Sequence, residues 1–168
     1  MPPDLTIRPA TPADDDALWA LLEPVFRAGD TYAVDPDIGR EAALAYWVRT
    51  DAAVFLAETE GVALGTFYIR ANAGGGGAHV ANAGFVTAPP ARGRGIARAM
   101  LRHAETEARR RGFRAMQFNF VVETNAAALH IWRSEGYAGV GRLPGVFHHP
   151  REGRVDALVM FKPLEGPA

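Results

Sequence analysis

The chain has 168 residues, 48% of them hydrophobic, with 18 Lys and Arg against 19 Asp and Glu for a formal net charge of −1; this suits one domain with a real core and offers no basic face for nucleic acid. The absence of cysteine excludes disulfides, thiol nucleophiles and zinc–thiolate centres. No apolar run is long enough to span a bilayer, and the opening MPPDLTIRPA lacks a signal-peptide pattern, so a cytoplasmic address is expected.

Residues 5–8 read as a first strand. Thr11 then caps a helix that begins at Pro12, with Asp14, Asp15 and Asp16 favouring the positive end of its dipole. Leu18, Leu21, Leu22, Val25 and Phe26 recur at helical spacing, and Gly29 ends the element. A second helix is predicted over about 39–49 with Leu44, Trp47 and Val48 inward. Residues 53–72 read as a hairpin around Glu60-Gly61, and AGGGGAH (73–79) as a flexible link to a strand over 80–87. A long amphipathic helix follows from about Gly95 to Arg111, then a strand over Met116–Val122 and a helix over Asn125–Glu135 stopped by Gly136. Two last strands, 137–143 and 155–164, are expected to be joined by a loop, PGVFHHPREG. The order β-α-α-β-β-β-α-β-α-β-β predicts an α+β sandwich around one mixed sheet.

Two segments carry chemistry. In PPARGRGIARAML the glycines let several N–H groups near 93–98 converge at a helix start, an arrangement that binds phosphate, and Arg92, Arg94 and Arg98 can add charge-assisted bonds. A Walker loop is excluded because its lysine is absent, and a dinucleotide fingerprint fits poorly because Arg98 takes its last small position. The pattern that fits is R-x-x-G-x-A, Arg92 to Ala97, against the plain alternative of a glycine turn before a helix. The second segment is MQFNFVVETNAAALHIW (116–132), an apolar strand and then a helix, with Asn119 and Asn125 inside it. An amide buried without partners costs roughly 1–3 kcal/mol, so each asparagine must find a partner in the fold or face a ligand.

Arg92 to Ala97 resembles the pyrophosphate loop of the GCN5-related N-acetyltransferase (GNAT) superfamily, which binds acetyl-CoA. Asn125, Ala128, Ile131, Trp132, Gly136 and Tyr137 are similar to that superfamily's N-x-x-A-x-x-L-Y-x-x-x-G-F at every spacing. The resemblance implies the GNAT fold, a mixed sheet of about seven strands flanked by about four helices, over a single domain spanning 1–168. It implies acetyl-CoA as co-substrate and no metal. The pyrophosphate falls to the amides of Gly93, Arg94, Gly95, Ile96, Ala97 and Arg98, with Arg92 beside them. The pantetheine arm falls to the strand Phe85, Val86 and Thr87 and to Asn125, with Trp132 packed against it. Two departures stand out. Trp132 replaces a tyrosine that in many members protonates the leaving thiolate, and an indole will not give up its proton near neutral pH. Asn119 lies close to where many members place a glutamate base, and an amide cannot be a base.

NAGF (82–85), FNFVVETN (118–125) and GRLPGVFHHP with GRVDALVM further on are similar to one subgroup, the N-acetyltransferases acting on proline analogues such as azetidine-2-carboxylate. There, asparagines on the two strands flanking the cofactor contact the small substrate and the reacting thioester; Asn82 and Asn119 match those positions. The resemblance therefore implies an enzyme that acetylates the amine of a small amino or imino acid. Asn82 and Asn119 would be its catalytic and substrate-binding residues, and Phe85 would wall the acyl pocket or belong to the core. The alternatives for the asparagines are sheet-edge satisfaction and, for Asn125, a helix N-cap. Glu123 is a candidate to reach a proton-accepting water, Tyr32 and Trp47 to line the mouth or the core, and the His148-His149 loop to rim it. His79 and His130 read as packing or surface groups. No nucleic acid or membrane partner is expected, and a homodimer is common in the superfamily. The competing readings are a peptide or protein N-acetyltransferase and a non-catalytic acyl-CoA sensor.

Overall fold

The computed structural model describes residues 4–164. Among these residues one mixed sheet of seven strands runs in the order β1-β2-β3-β4-β5-β7-β6. Its strands are Thr6–Pro9 (β1), Ala53–Thr59 (β2), Val62–Ala71 (β3), Val80–Thr87 (β4), Ala115–Val122 (β5), Ala138–His149 (β6) and Gly153–Pro163 (β7). Helices Asp15–Ala28 (α1) and Arg40–Trp47 (α2) cover one face, and Ile96–Arg110 (α3) and Ala126–Ser134 (α4) the other. The α+β expectation of about seven strands and four helices is borne out.

Local chemistry explains the elements on the first face. The Asp14 carboxylate accepts from the Thr11 amide at 2.7 Å and its hydroxyl at 2.9 Å, which turns the chain through a 3-10 turn, Pro12–Asp14, into α1. Leu18, Leu21, Leu22, Val25 and Phe26 are all buried, and Gly29 at φ 62 closes α1 by donating to the Phe26 carbonyl. In α2 the buried residues are Ala43 and Trp47, whose Nε1 donates to Thr66 Oγ1 at 3.1 Å. Val48 was expected inward but is 44% exposed, because the helix ends at Trp47 and Val48 leaves helical geometry at ψ 71. The β2–β3 hairpin turns at Glu60 and Gly61, both with positive φ, as a two-residue turn of that twist requires.

Most of the loop expected over 144–153 is strand: β6 runs to His149, β7 starts at Gly153, and only residues 150–152 turn. Pro144 is tolerated because β6 is the sheet edge and the register slips between Leu143 and Phe147, where a proline's missing N–H breaks no ladder.

The functional geometry depends on the junction of β4 and β5, the one parallel pair among the described residues. Their ladder runs through Val80↔Ala115, Ala81↔Met116 and Asn82↔Gln117 and stops there. Just beyond, Asn119 and Phe120 together lie opposite the single residue Val159, between the pairs Phe118↔Met160 and Val121↔Leu158. Such a bulge bends its strand, and β5 departs from β4 to leave a gap.

Candidate active site

The gap leads to a cradle at the start of α3. Gly93 and Gly95 hold φ of 75 and 80, a conformation other residues adopt at a cost. The exposed loop Arg92 to Gly95 is pinned at both sides by Ala91 and Ile96, each 1% exposed. No side chain caps α3, and its first intrahelical bond is Ala99 N–H to the Gly95 carbonyl at 3.0 Å. The N–H groups before Ala99 therefore lack helical acceptors, and the helix dipole adds positive potential. Among the described residues Arg92 and Arg94 have no ion pair, so both charges are available to an anion. Arg98 is committed elsewhere. Its Nε lies 2.9 Å from Glu135 Oε1, poorly aligned for a hydrogen bond, and its Nη2 donates to Ser134 Oγ at 3.0 Å. It ties α3 to the end of α4.

Backbone parity shows what β4 offers to the gap. Asn72 N–H donates to the Val80 carbonyl at 2.8 Å and Ala88 N–H to the Leu64 carbonyl at 2.9 Å, with unbroken register between. The even-numbered residues of β4 thus spend their backbone groups on β3, and those of Phe85 and Thr87 turn the other way, past the end of the β5 ladder. The Phe85 carbonyl accepts from the Tyr32 hydroxyl at 2.9 Å. The Phe85 ring belongs to an aromatic cluster on the α3–α4 side, with centroids 5.2 Å from Trp132 and 6.0 Å from Phe118. Trp132 is 7% exposed and also 5.2 Å from Phe118. Asn125 is the N-cap of α4, its side-chain oxygen accepting from Ala128 N–H at 3.2 Å, so only its NH₂ end is left for a ligand.

The opposite face of the gap is polar. Met116 and Phe118 point into the α3–α4 core, so alternation puts Gln117 and Asn119 on the other face with Asn82 and Tyr68. Asn82 is 6% exposed; its Nδ2 donates to the Gln117 carbonyl at 3.0 Å and its Oδ1 lies 3.5 Å from the Tyr68 hydroxyl. It therefore clasps β4 to β5 on the last rung. Asn119 is exposed rather than buried, so the burial cost anticipated for it does not arise. Its Oδ1 accepts from Gln117 Nε2 at 2.8 Å and its Nδ2 donates to Asn72 Oδ1 at 2.7 Å. Arg70, paired in register with Asn82, lays its guanidinium 5.2 Å from the Tyr68 ring centroid.

Two loops bound this polar face. Arg151 in the β6–β7 turn lies 3.9 Å from Asp30 after α1. His149 is 3% exposed, and its Nδ1 accepts from the amides of Arg151 and Glu152 at 3.2 Å each, which shapes the turn. Glu123 is paired with Arg142 at 2.9 Å, and Trp47 is core. Burial holds the phenols of Tyr32 and Tyr68 above the usual tyrosine value, so near neutral pH both are donors and not bases.

The structure thus gathers Asn82, Phe85, Thr87, Asn119, Asn125 and Trp132 around one gap, with Arg92 to Ala97 at its mouth, and sets Arg98 apart. Sequence reasoning missed Tyr68, Asn72 and Gln117. One signal was available: Gly84 sits mid-strand, and a Cβ there would lie 2.5 Å from Tyr68 Cε1, so the strand glycine marks the close approach of that ring.

An anion cradle at a helix start thus stands beside a gap between two parting parallel strands, an arrangement suited to an elongated ligand with an anionic end. Residues 16–137 match the acetyltransferase (GNAT) family model, and the chain belongs to that family. It is 36% identical over 102 residues to N-acetyltransferase aca1 of Schizosaccharomyces pombe, an alignment covering 57% of this chain and 46% of that protein, so the chain spans about half the length of this curated relative. A GCN5-related N-acetyltransferase from Kribbella flavida superposes with TM-score 0.92 at 40% identity, covering 97% of this chain and 99% of that one. The structure of yncA from Salmonella typhimurium with its cofactor acetyl-CoA has TM-score 0.84 at 24% identity, covering 98% and 96%, and shows the shared fold.

Proposed function

We propose that this protein transfers acetyl from acetyl-CoA to the amine of a small amino or imino acid such as a proline analogue. The observation that carries the reading is the amide-lined polar face, with Asn82, Gln117 and Asn119 where β4 and β5 part. Neutral amides suit a small acceptor whose carboxylate takes N–H donors and whose amine must stay uncharged to react. The identity with an N-acetyltransferase supports the reaction class.

Acetyl-CoA supplies an acyl group activated as a thioester. The amides of Gly93 to Arg98 would hold its pyrophosphate beside Arg92 and Arg94, and Phe85, Thr87 and Asn125 its amide arm, with Trp132 packed alongside; Val86, expected to share in this, spends its backbone groups on β3 and buries its side chain against α1 and α2. The acceptor nitrogen bonds to the carbonyl carbon as the carbon–sulfur bond breaks; the amine proton leaves to water, and sulfur takes a proton from solvent. Asn82 seats the acceptor, and Asn119 donates to charge as it develops. With Glu123 paired to Arg142 and the nearby phenols protonated, the chain contributes positioning and polarisation more than proton transfer. The superfamily resemblance also carries a homodimer; a monomer mass in solution would end that expectation.

Turnover of acetyl-CoA with proline, azetidine-2-carboxylate, open-chain amino acids and peptides tests the acceptor. Imino acids are expected to react fastest. Activity on peptides alone would end this reading in favour of a peptide N-acetyltransferase.

A further inference from the structure

Asn119 stands exposed on a strand bulge, where a lone amide would sample several rotamers and both ends of its side chain. It is not alone. Gln117 Nε2 donates to Asn119 Oδ1 at 2.8 Å, and Asn119 Nδ2 donates to Asn72 Oδ1 at 2.7 Å. The three amides form a chain linking β5 to the residue that opens the glycine-rich segment 73–79. Asn72 is a firm anchor, because its own N–H continues the β3–β4 ladder to the Val80 carbonyl at 2.8 Å. The segment beyond it is open: a Cβ at Gly74, Gly75 or Gly76 would meet nothing within 4 Å.

We infer that Asn72 and Gln117 are positioning residues that hold the Asn119 amide in one rotamer with one N–H free for the reacting group, an inference that rests on the proposed role of Asn119. The count of donors makes the point independent of amide orientation. A primary amide has two N–H donors and a carbonyl oxygen. Run in either direction, the chain takes one donor and one acceptor from the middle amide and leaves one N–H unspent. A donor aimed at developing charge works only if it is held in place beforehand. No backbone geometry depends on the Asn72 side chain, so its loss should leave the fold intact.

The experiment compares Asn72→Leu, Asn72→Asp, Gln117→Met and Asn119→Ala, singly and with Asn72→Leu combined with Asn119→Ala, in acetyl transfer to the best acceptor. Asn72→Leu and Gln117→Met are expected to lower kcat roughly tenfold, below the about 10²-fold that a 1 Å misplacement can cost, with KM for acetyl-CoA and Tm unchanged. Asn72→Asp, which keeps the acceptor, should restore most of kcat. In the Asn119→Ala background Asn72→Leu should have no further effect. If Asn119→Ala is impaired while Asn72→Leu and Gln117→Met turn over normally, or if Asn72→Leu costs the same in both backgrounds, the positioning role is wrong and that of Asn119 stands. Normal kcat in Asn119→Ala would end both.

Discussion

Replacing Gly95 with aspartate tests the cradle most sharply. Gly95 has φ 80 and ψ 3 at the N-cap of α3. An L-residue there costs about 1–2 kcal/mol, a modest part of the roughly 5–15 kcal/mol that holds a typical domain together. The variant should therefore fold, with Tm lowered by about 2–4 °C per kcal/mol for a domain of this size. The effect on binding is far larger. A carboxylate about 4 Å from one phosphate charge repels it by about 4 kcal/mol at an effective dielectric of 20, nearly a thousandfold in affinity at about 1.4 kcal/mol per decade. Gly95→Ala carries the backbone cost without the charge and is the control. Calorimetric titration with CoA should give no heat for Gly95→Asp where the native protein saturates, and only a weakened isotherm for Gly95→Ala. Unchanged CoA affinity in Gly95→Asp, with the fold confirmed by its melting curve, would refute the assignment of this loop.

Trp132→Phe keeps an aromatic ring against Phe85 and Phe118, so kcat should hold while KM for acetyl-CoA rises; a hundredfold loss in kcat, roughly 2.7 kcal/mol, would mean that the indole N–H acts in the transition state. Asn82→Ala strips a hydrogen bond from the Gln117 carbonyl, and stability should fall by about 1–3 kcal/mol together with a higher KM for the amine; an unchanged Tm in urea or thermal melts would contradict the clasp. Asp14 is held well below its ordinary value, first by hydrogen bonds from Arg8 and then by the Thr11 amide. Its lowered pKa adds stability that is complete above the ordinary value near 3.8 and is lost as pH falls through the depressed one. Asp14→Asn should therefore melt lower than the native protein at pH 7 by a margin that shrinks below about pH 4, and a constant gap across that range would count against the linkage.

The parts of the fold legible in the sequence were those written in local signals. Thr11 and Pro12 open the 3-10 turn that leads into α1, whose five apolar residues are buried at helical spacing, and Asn125 caps α4, the alternative weighed for it. Pro144 and Gly145 read as a turn because local chemistry cannot reveal that β6 is an edge strand, where both are tolerated. The same limit applies to the site. The glycines of the cradle were evident because each needs a positive φ. Arg98 looked equivalent to Arg92 and Arg94 until folding brought Glu135 and Ser134 beside it from α4. Asn119 looked buried because the strand around it is apolar, whereas alternation from Met116 and Phe118 puts it on the polar face, where the bulge opposite Val159 begins. Asn72, 47 residues away along the chain, had no local signal at all.

A working acetyltransferase differs from a sensor that merely binds acyl-CoA in releasing an acetylated product. The direct measurement is incubation of the purified protein with acetyl-CoA and azetidine-2-carboxylate or proline, following free thiol and the mass of the acceptor together. CoA is expected to be released in step with an N-acetylated product, at a rate that Asn119→Ala lowers by roughly ten- to a thousandfold. Tight CoA binding with no acetylated product from any amine, peptides included, would contradict that expectation.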